Sequence, residues 1–225
     1  MSIIVSDISY HYFNRPTLFE SVSFSVSPGG KVSLIGNNGT GKSTLLKMLA
    51  GELTPSSGNI RVSASPYYIP QQIDFKEQTL AETLGVSEKI KALQAIYGGS
   101  VDQGHYDTLN DDWDIEDRCR VALTHWGLLN LPIDLPILQL SGGEKTKVLL
   151  AGLTVHNPDV VLLDEPTNHL DYAARKKLYE YISQTKATVI IVSHDITLLN
   201  LLEETFELTP TGIKLYGGNY DFYWS

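Results

Sequence analysis

Cysteine is almost missing: Cys119 is the only one in 225 residues. The chain can close no internal disulfide and offers no cysteine-built metal site, which fits a reducing, cytoplasmic setting. Long apolar runs are missing too. The most apolar stretches, around Val148–Leu153 and Val160–Leu163, fall far short of the roughly 20 residues that a membrane-spanning helix needs. The opening Met1–Tyr10 reads as a short strand and not as a basic segment followed by an apolar one, so no targeting signal is expected. These absences predict a chain that is soluble on its own and reaches a membrane only through a partner. Positive charge is in deficit, with 17 Lys and Arg against 26 Asp and Glu and a net charge of -9. That argues against a broad nucleic-acid face, which needs clustered cations. There is no internal repeat and no low-complexity linker. What remains is an ordinary globular composition, 42% hydrophobic and 19% charged, long enough for one domain with a subdomain.

The first part of the chain reads as β. Val22, Phe24 and Val26 alternate with serines, as a half-buried strand requires, and Pro28-Gly29 turns the chain into a second strand, Val32–Ile35. After Lys42 the period changes: Leu45, Leu46, Leu49 and Leu53 follow helical spacing until Pro55–Gly58. Short strands are expected near Ile60–Val62 and Tyr67–Ile69. Phe75 to Pro136 looks mostly helical, broken at Gly98-Gly99 and Asp111-Asp112. From Leu140 the pattern becomes helix (Glu144–Val155), strand (Val160–Leu163), helix (Ala173–Gln184) and strand (Val189–Val192). That alternation implies a parallel sheet covered on both faces. A helix from about Ile196 to Glu203 and a hairpin, Phe206–Leu208 with Ile213–Tyr216, complete the reading.

Gly36-Asn37-Asn38-Gly39-Thr40-Gly41-Lys42-Ser43 satisfies the phosphate-loop pattern of Gly, four residues, then Gly-Lys-Ser, and it sits between a strand and a helix as that pattern demands. The glycines let the backbone curl so that successive N–H groups point at phosphate oxygens, and the helix start adds its positive dipole. Thr44 closes the segment. Lys42 can reach the β- and γ-phosphates of ATP, and the Ser43 hydroxyl can ligate Mg²⁺. A second pattern, Val160-Val161-Leu162-Leu163-Asp164-Glu165, ends an apolar strand in two carboxylates. Beside a phosphate loop, Asp164 would hold the metal through water and Glu165 would act as general base on the attacking water. On its own this would be a strand and a solvated acidic turn.

Three weaker features add to these. Ser141 and Glu144 stand at capping-box spacing in Leu140-Ser141-Gly142-Gly143-Glu144, a good helix start that is also a second anion site. Gln71 follows one strand and His194 another. Singly, each is most simply a solvated or structural residue. In the order phosphate loop, Gln71, Ser141-Gly142-Gly143, Asp164-Glu165, His194, the whole chain resembles the nucleotide-binding domain of the ATP-binding cassette (ABC) superfamily.

That resemblance implies an α/β phosphate-loop ATPase fold: a mixed or parallel sheet core, an N-terminal antiparallel β subdomain and a helical subdomain. The expected division is one domain, 1–225, with 1–75 and 137–225 as the ATP-binding core and 76–136 as the helical part. It implies that Gln71 senses the Mg²⁺ ion and the water, that 140–144 is the signature motif and that His194 contacts the γ-phosphate. It also implies an adenine-stacking aromatic upstream of the phosphate loop. Tyr12 matches best, with Tyr10 and Phe13 close by. In the family the signature of one domain completes the site on another's phosphate loop, so Ser141, Gly142, Gly143, Glu144 and Asp171 would serve a partner's ATP. The partner would be a second cassette, in the same full-length chain or as a second copy.

Glu165-Pro166-Thr167-Asn168-His169-Leu170-Asp171, the run 140–148 and the tail Tyr216–Tyr223 look like the ABC-F branch, most like its N-terminal cassette. Members carry two cassettes in one chain, and many bind the ribosome. Their linker and second cassette lie outside this sequence, and the stretch from Gln71 to Leu140 leaves little room for a long ribosome-contacting arm. The rival expectation is the ATPase subunit of a membrane transporter. A non-enzymatic, nucleotide-gated binding module is the third.

Overall fold

Strand β2 (Thr17–Val26) buries Phe19, Val22, Phe24 and Val26 and turns Ser21 and Ser23 outward, so the serine alternation of the sequence becomes a half-buried strand. The computed structural model describes residues 1–12, 17–72 and 75–224. β2 pairs antiparallel with β1 (Ile3–His11), and β1 pairs on its other edge with β4 (Ser57–Val62). This is the antiparallel N-terminal sheet that the resemblance implied.

A second, six-stranded sheet has the order β5 (Tyr67–Ile69), β6 (Val160–Asp164), β7 (Thr188–Val192), β3 (Lys31–Ile35), β8 (Glu204–Thr209), β9 (Gly212–Tyr216). Its pairs are parallel except the closing hairpin, β8 with β9. Every residue of β6 and β7 is buried, as strands covered on both faces require. The two sheets share a core in which Phe24 meets Phe206 edge to face, ring centroids 5.4 Å apart. Burying each such side chain contributes roughly 1.5–3 kcal/mol. Helix α1 (Lys42–Leu49) joins this core through Leu45, Leu46, Met48 and Leu49.

The chain divides into two compact units. The first comprises Met1–Gln72, Pro158–Asn168 and Leu178–Ser225 and holds both sheets; the second comprises Ile73–Asn157 and His169–Lys177. The second is helical: α2 (Leu80–Thr83), α3 (Ser87–Tyr97), α4 (Gln103–Leu109), α5 (Ile115–His125) and α6 (Gly142–His156). It is wider than the expected segment 76–136, because α6 buries Val148, Leu150, Ala151 and Leu153 while α5 buries Cys119, Ala122 and Leu123 in the same unit. Asp112 anchors it as well, accepting from Lys89 and Arg118 at 2.6 Å each. Helix α7 (Tyr172–Gln184) is divided, 172–177 falling in the second unit and the rest in the first.

Two elements depart from expectation. The helix expected to reach Glu203 is only α8 (Ile196–Leu199). Its end tightens, with Leu201 N–H donating to Leu198 O and Leu202 N–H to Leu199 O, because Glu203 N–H is claimed by Lys31 O as β8 begins. The tail ends in a short helix, α9 (Tyr220–Trp224), where Asn219 Oδ1 accepts from Phe222 N–H at 3.1 Å. No helix among the described residues is long and apolar enough to cross a membrane.

Candidate functional site

The loop 36–44 leaves the C-terminal end of β3, a strand paired on both sides, and enters α1 through Gly41. Gly41 has φ 98°, where any L side chain is strained, and a Cβ there would lie 2.6 Å from Leu18 Cδ2, so Leu18 would have to shift as well. Inside the loop, Thr40 Oγ1 donates to Asn37 O at 2.9 Å, and Lys42 Nζ donates to Gly36 O at 2.8 Å and to Asn37 O at 3.1 Å. The lysine therefore holds the curl closed from within. The first turn of α1 adds unsatisfied N–H groups and the positive end of a helix dipole.

A cavity of about 760 Å³ in the first unit opens over this loop. Asn38, Gly39, Gly41, Lys42, Ser43 and Thr44 form its floor, and Tyr12, Gln71, Asp164, Glu165 and His194 its walls. Residues separated by more than 180 positions in sequence thus share one chamber, because β3, β5, β6 and β7 all deliver their C-terminal ends to the same sheet edge. Thr17, Leu18 and Val192 also line it; as ordinary strand residues they carried no chemical signal in the sequence.

Asp164, buried at the end of β6, is pushed above the ordinary carboxylate range chiefly by burial. A hydrogen bond from Ser43, the charge of Lys42 and the backbone N–H of Gln71 oppose that shift. Its Oδ1 is buried with no hydrogen-bond partner among the described residues. Glu165 adopts φ 52°, a left-handed conformation that aims its side chain back over the sheet edge, and its N–H donates to Val192 O at 2.8 Å. Burial raises its pKa most, the neighbouring Asp164 charge adds to that, and His194 and Lys42 oppose it. His194 N–H donates to Glu165 Oε2 at 3.3 Å, and its Nε2 lies 3.4 Å from Oε1 while the imidazole itself stays exposed. Burial lowers the Lys42 pKa, against the pull of Glu165 and Asp164.

The aromatic wall is Tyr12. Its hydroxyl lies 3.1 Å from Thr44 Oγ1 and its ring stands edge-on to Tyr10 at 5.1 Å. Tyr10 packs on the hydrophobic core instead of lining the cavity. Phe13 lies outside the described residues.

The remaining sequence candidates belong to the second unit and line no part of this cavity. The capping box forms as the spacing predicts. Ser141 N–H donates to Glu144 Oε2 at 2.8 Å, Glu144 N–H to Ser141 Oγ at 3.4 Å, and the hydroxyl to Glu144 Oε2 at 2.7 Å. A Cβ on Gly143 would meet His169 O at 2.6 Å, so the turn and the segment at 169 are in backbone contact. Gly142 has open space beside it. Asp171 Oδ1 accepts from Ala174 N–H at 2.8 Å, and Oδ2 from Lys147 Nζ at 2.6 Å. Hydrogen bonds from Ser141 hold the Glu144 carboxyl below its usual range, and Lys147 does the same for Asp171. The pairing of Lys147 with Asp171 carried no signal in the sequence, since the two stand 24 residues apart.

Residues 19–168 match the ABC transporter family model. The chain is 34% identical to the uncharacterized ABC transporter ATP-binding protein YkpA of Bacillus subtilis (strain 168), across 99% of this chain and 44% of that protein. It is 33% identical to ABC transporter F family member 4 of Dictyostelium discoideum, across 97% of this chain and 18% of that one. The chain thus spans less than half the length of these relatives. Among solved structures it resembles the ATP binding subunit of an ABC transporter, with 26% identity and a TM-score of 0.76 over 98% of this chain and 91% of that one. A dimeric bacterial ABC transporter cassette, MJ0796, has the same fold at 20% identity and a TM-score of 0.70, over 94% and 96% of the two chains. A phosphate loop, two strand-end carboxylates and a cassette fold over nearly the full chain agree with these matches: the protein is an ATP-binding cassette of the ABC family.

Proposed function

We propose that this cassette hydrolyses ATP in a composite site, completed by a second cassette, and that it works as an ABC-F-type ATPase on the translation machinery. The observation that carries the enzymatic part is the single cavity in which Lys42, Gln71, Asp164, Glu165 and His194 meet over the phosphate loop. ATP lies with its phosphates on 36–44 and its adenine against Tyr12. Lys42 exchanges its bonds to the carbonyls of Gly36 and Asn37 for phosphate oxygens. Glu165 accepts a proton from the attacking water. The water oxygen bonds to the γ-phosphorus, and the bridging oxygen leaves with ADP. A carboxylate raised by burial is the stronger base for that transfer. His194, hydrogen-bonded to it through its backbone, fixes its direction and reaches the γ-phosphate with its exposed ring.

The residues fit a magnesium ion. Oδ1 of Asp164, without a partner among the described residues, lies beside the Ser43 hydroxyl and leaves a polar atom for a metal-bound water, and a site with few protein ligands suits an ion that keeps waters and substrate phosphates. Ser43, Asp164 and Gln71 would hold it, and when bound it supplies neutralising charge to the phosphates.

Ser141, Gly142, Gly143, Glu144 and Asp171 serve the nucleotide of the partner cassette. Their absence from the cavity of their own chain supports this, and relatives more than twice as long have room for a second cassette. The ABC-F assignment draws on the Dictyostelium relative and on the run 165–171. The transporter reading draws support from the likeness to the ATP binding subunit of an ABC transporter.

Two measurements test the proposal. ATPase rate should rise more steeply than linearly with protein concentration; a strictly linear rise would remove the composite site. Ribosomes should pellet the Glu165→Gln variant in the presence of ATP but not without it. No ATP-dependent pelleting would leave the transporter reading as the better one.

A further inference from the structure

Lys147 lies in the run 140–148 but has no role assigned above, and its side chain ties the start of α6 to Asp171. It projects from the second turn of α6, two turns after Ser141, and only 17% of its side chain is exposed. Its Nζ lies 2.6 Å from Asp171 Oδ2, while Asp171 Oδ1 caps α7 through Ala174 N–H. Nearby, Gly143 is pressed against the carbonyl of His169 so closely that a methyl group would not fit. The first turns of α6 and the segment 169–171 are therefore joined twice, once through backbone packing and once through an ion pair.

We infer that Lys147 is a positioning residue that sets Asp171 and the signature turn as one preassembled block for the partner's nucleotide. This rests on the composite-site reading. Lys147 would touch neither nucleotide nor metal; it acts by fixing the carboxylate that does. An ammonium suits that task, because a partly buried, charge-assisted hydrogen bond is short and directional. Asp171 keeps both oxygens engaged, so its carboxylate arrives at the partner without a choice of rotamers to freeze. A structural ion pair, by contrast, would affect the fold of its own chain and leave trans catalysis alone.

The two roles separate in a mixing experiment on the 225-residue protein. Lys147→Met should lower turnover at saturating ATP about tenfold, as small misplacements at composite sites do, and leave ATP affinity unchanged. Lys147→Arg should restore most of the lost rate. Adding Lys147→Met to Asp171→Asn should cost nothing further, since the first acts through the second. This pair also keeps the inference testable if Lys147→Met alone folds poorly, because Asn still caps α7. Mixed with a Lys42→Ala chain, the Lys147→Met chain should give more turnover than the mean of the two unmixed samples, because one site then has an intact loop and an intact block. The control mixes Lys42→Ala with Ser141→Arg. If the control regains activity and the Lys147→Met mixture does not, Lys147 acts on its own chain and the inference is overturned. If the control also fails, the composite-site reading falls and takes the inference with it.

Discussion

The two sets of acidic residues in this cassette are built on opposite principles. Asp164 and Glu165 sit at the end of a buried strand, and burial makes their charged forms costly; one oxygen of Asp164 has no partner among the described residues. Glu144 and Asp171 sit at the surface of the helical unit, at helix N-termini, with hydrogen bonds that favour their charged forms. Burial disfavours the charges of the first pair; hydrogen bonds favour those of the second. A group that performs proton transfer needs a displaced pKa, whereas a group that presents a surface to a partner needs a fixed shape. On the proposed function the first pair does the chemistry and the second meets the partner, and the solvation of each carboxylate suits that division.

Breaking the buried set should have the largest effect. Glu165→Gln keeps the size of the side chain and removes the base, so single-turnover hydrolysis should fall about 10²–10⁴-fold with ATP binding retained. Hydrolysis at the parent rate would show that Glu165 is not the base. Next comes the presented set. Gly143→Ala puts a methyl 2.6 Å from His169 O, so the turn at 141–144 or the backbone at 169 must move. We expect a loss of roughly 1–3 kcal/mol in urea unfolding. A neutral substitution would mean that the contact is loose.

The smallest effect sharpens the comparison itself, through pH. The Asp164 pKa is raised on folding, so the native state binds its proton more tightly. Its contribution to stability falls as pH rises from the ordinary carboxylate range through the raised value. Asp164→Asn should therefore stabilise the nucleotide-free protein by about 1 kcal/mol at neutral pH, with the gain vanishing in acid. The Asp171 pKa is lowered, so its contribution is present above that range and is lost as pH falls below it. Asp171→Asn should cost a few tenths of a kcal/mol at neutral pH, discounted for its exposure, and nothing in acid. Unfolding midpoints across pH test both; equal signs for the two variants would erase the contrast.

Much of the buried site was legible in sequence because it is written in contiguous runs. The phosphate loop occupies 36–44 and the carboxylates follow an unbroken apolar strand, so each carries its own context. The capping box at 141–144 was legible for the same reason. What escaped notice depends on chain folding over distance. Thr44 meets Tyr12 across 32 positions, and Lys147 meets Asp171 across 24, with no periodicity to announce either. The length of α8 escaped as well, because Leu201 and Leu202 continue the helical pattern while Glu203 is drawn away by Lys31, 172 positions earlier. Local physics proposes a helix there; sheet pairing ends it.

The central place of β3 bears on synthesis. The strand that carries the phosphate loop emerges early, at Lys31–Ile35, but its neighbours in the sheet are Thr188–Val192 and Glu204–Thr209. A growing chain therefore leaves β3 unpaired and its loop unsupported until residues 188–209 have been made, and only then can the cavity over that loop close. The N-terminal hairpin and the helical unit are free to form long before. The cavity over the loop is completed in one step, when the strands at 188–209 take their places on either side of β3.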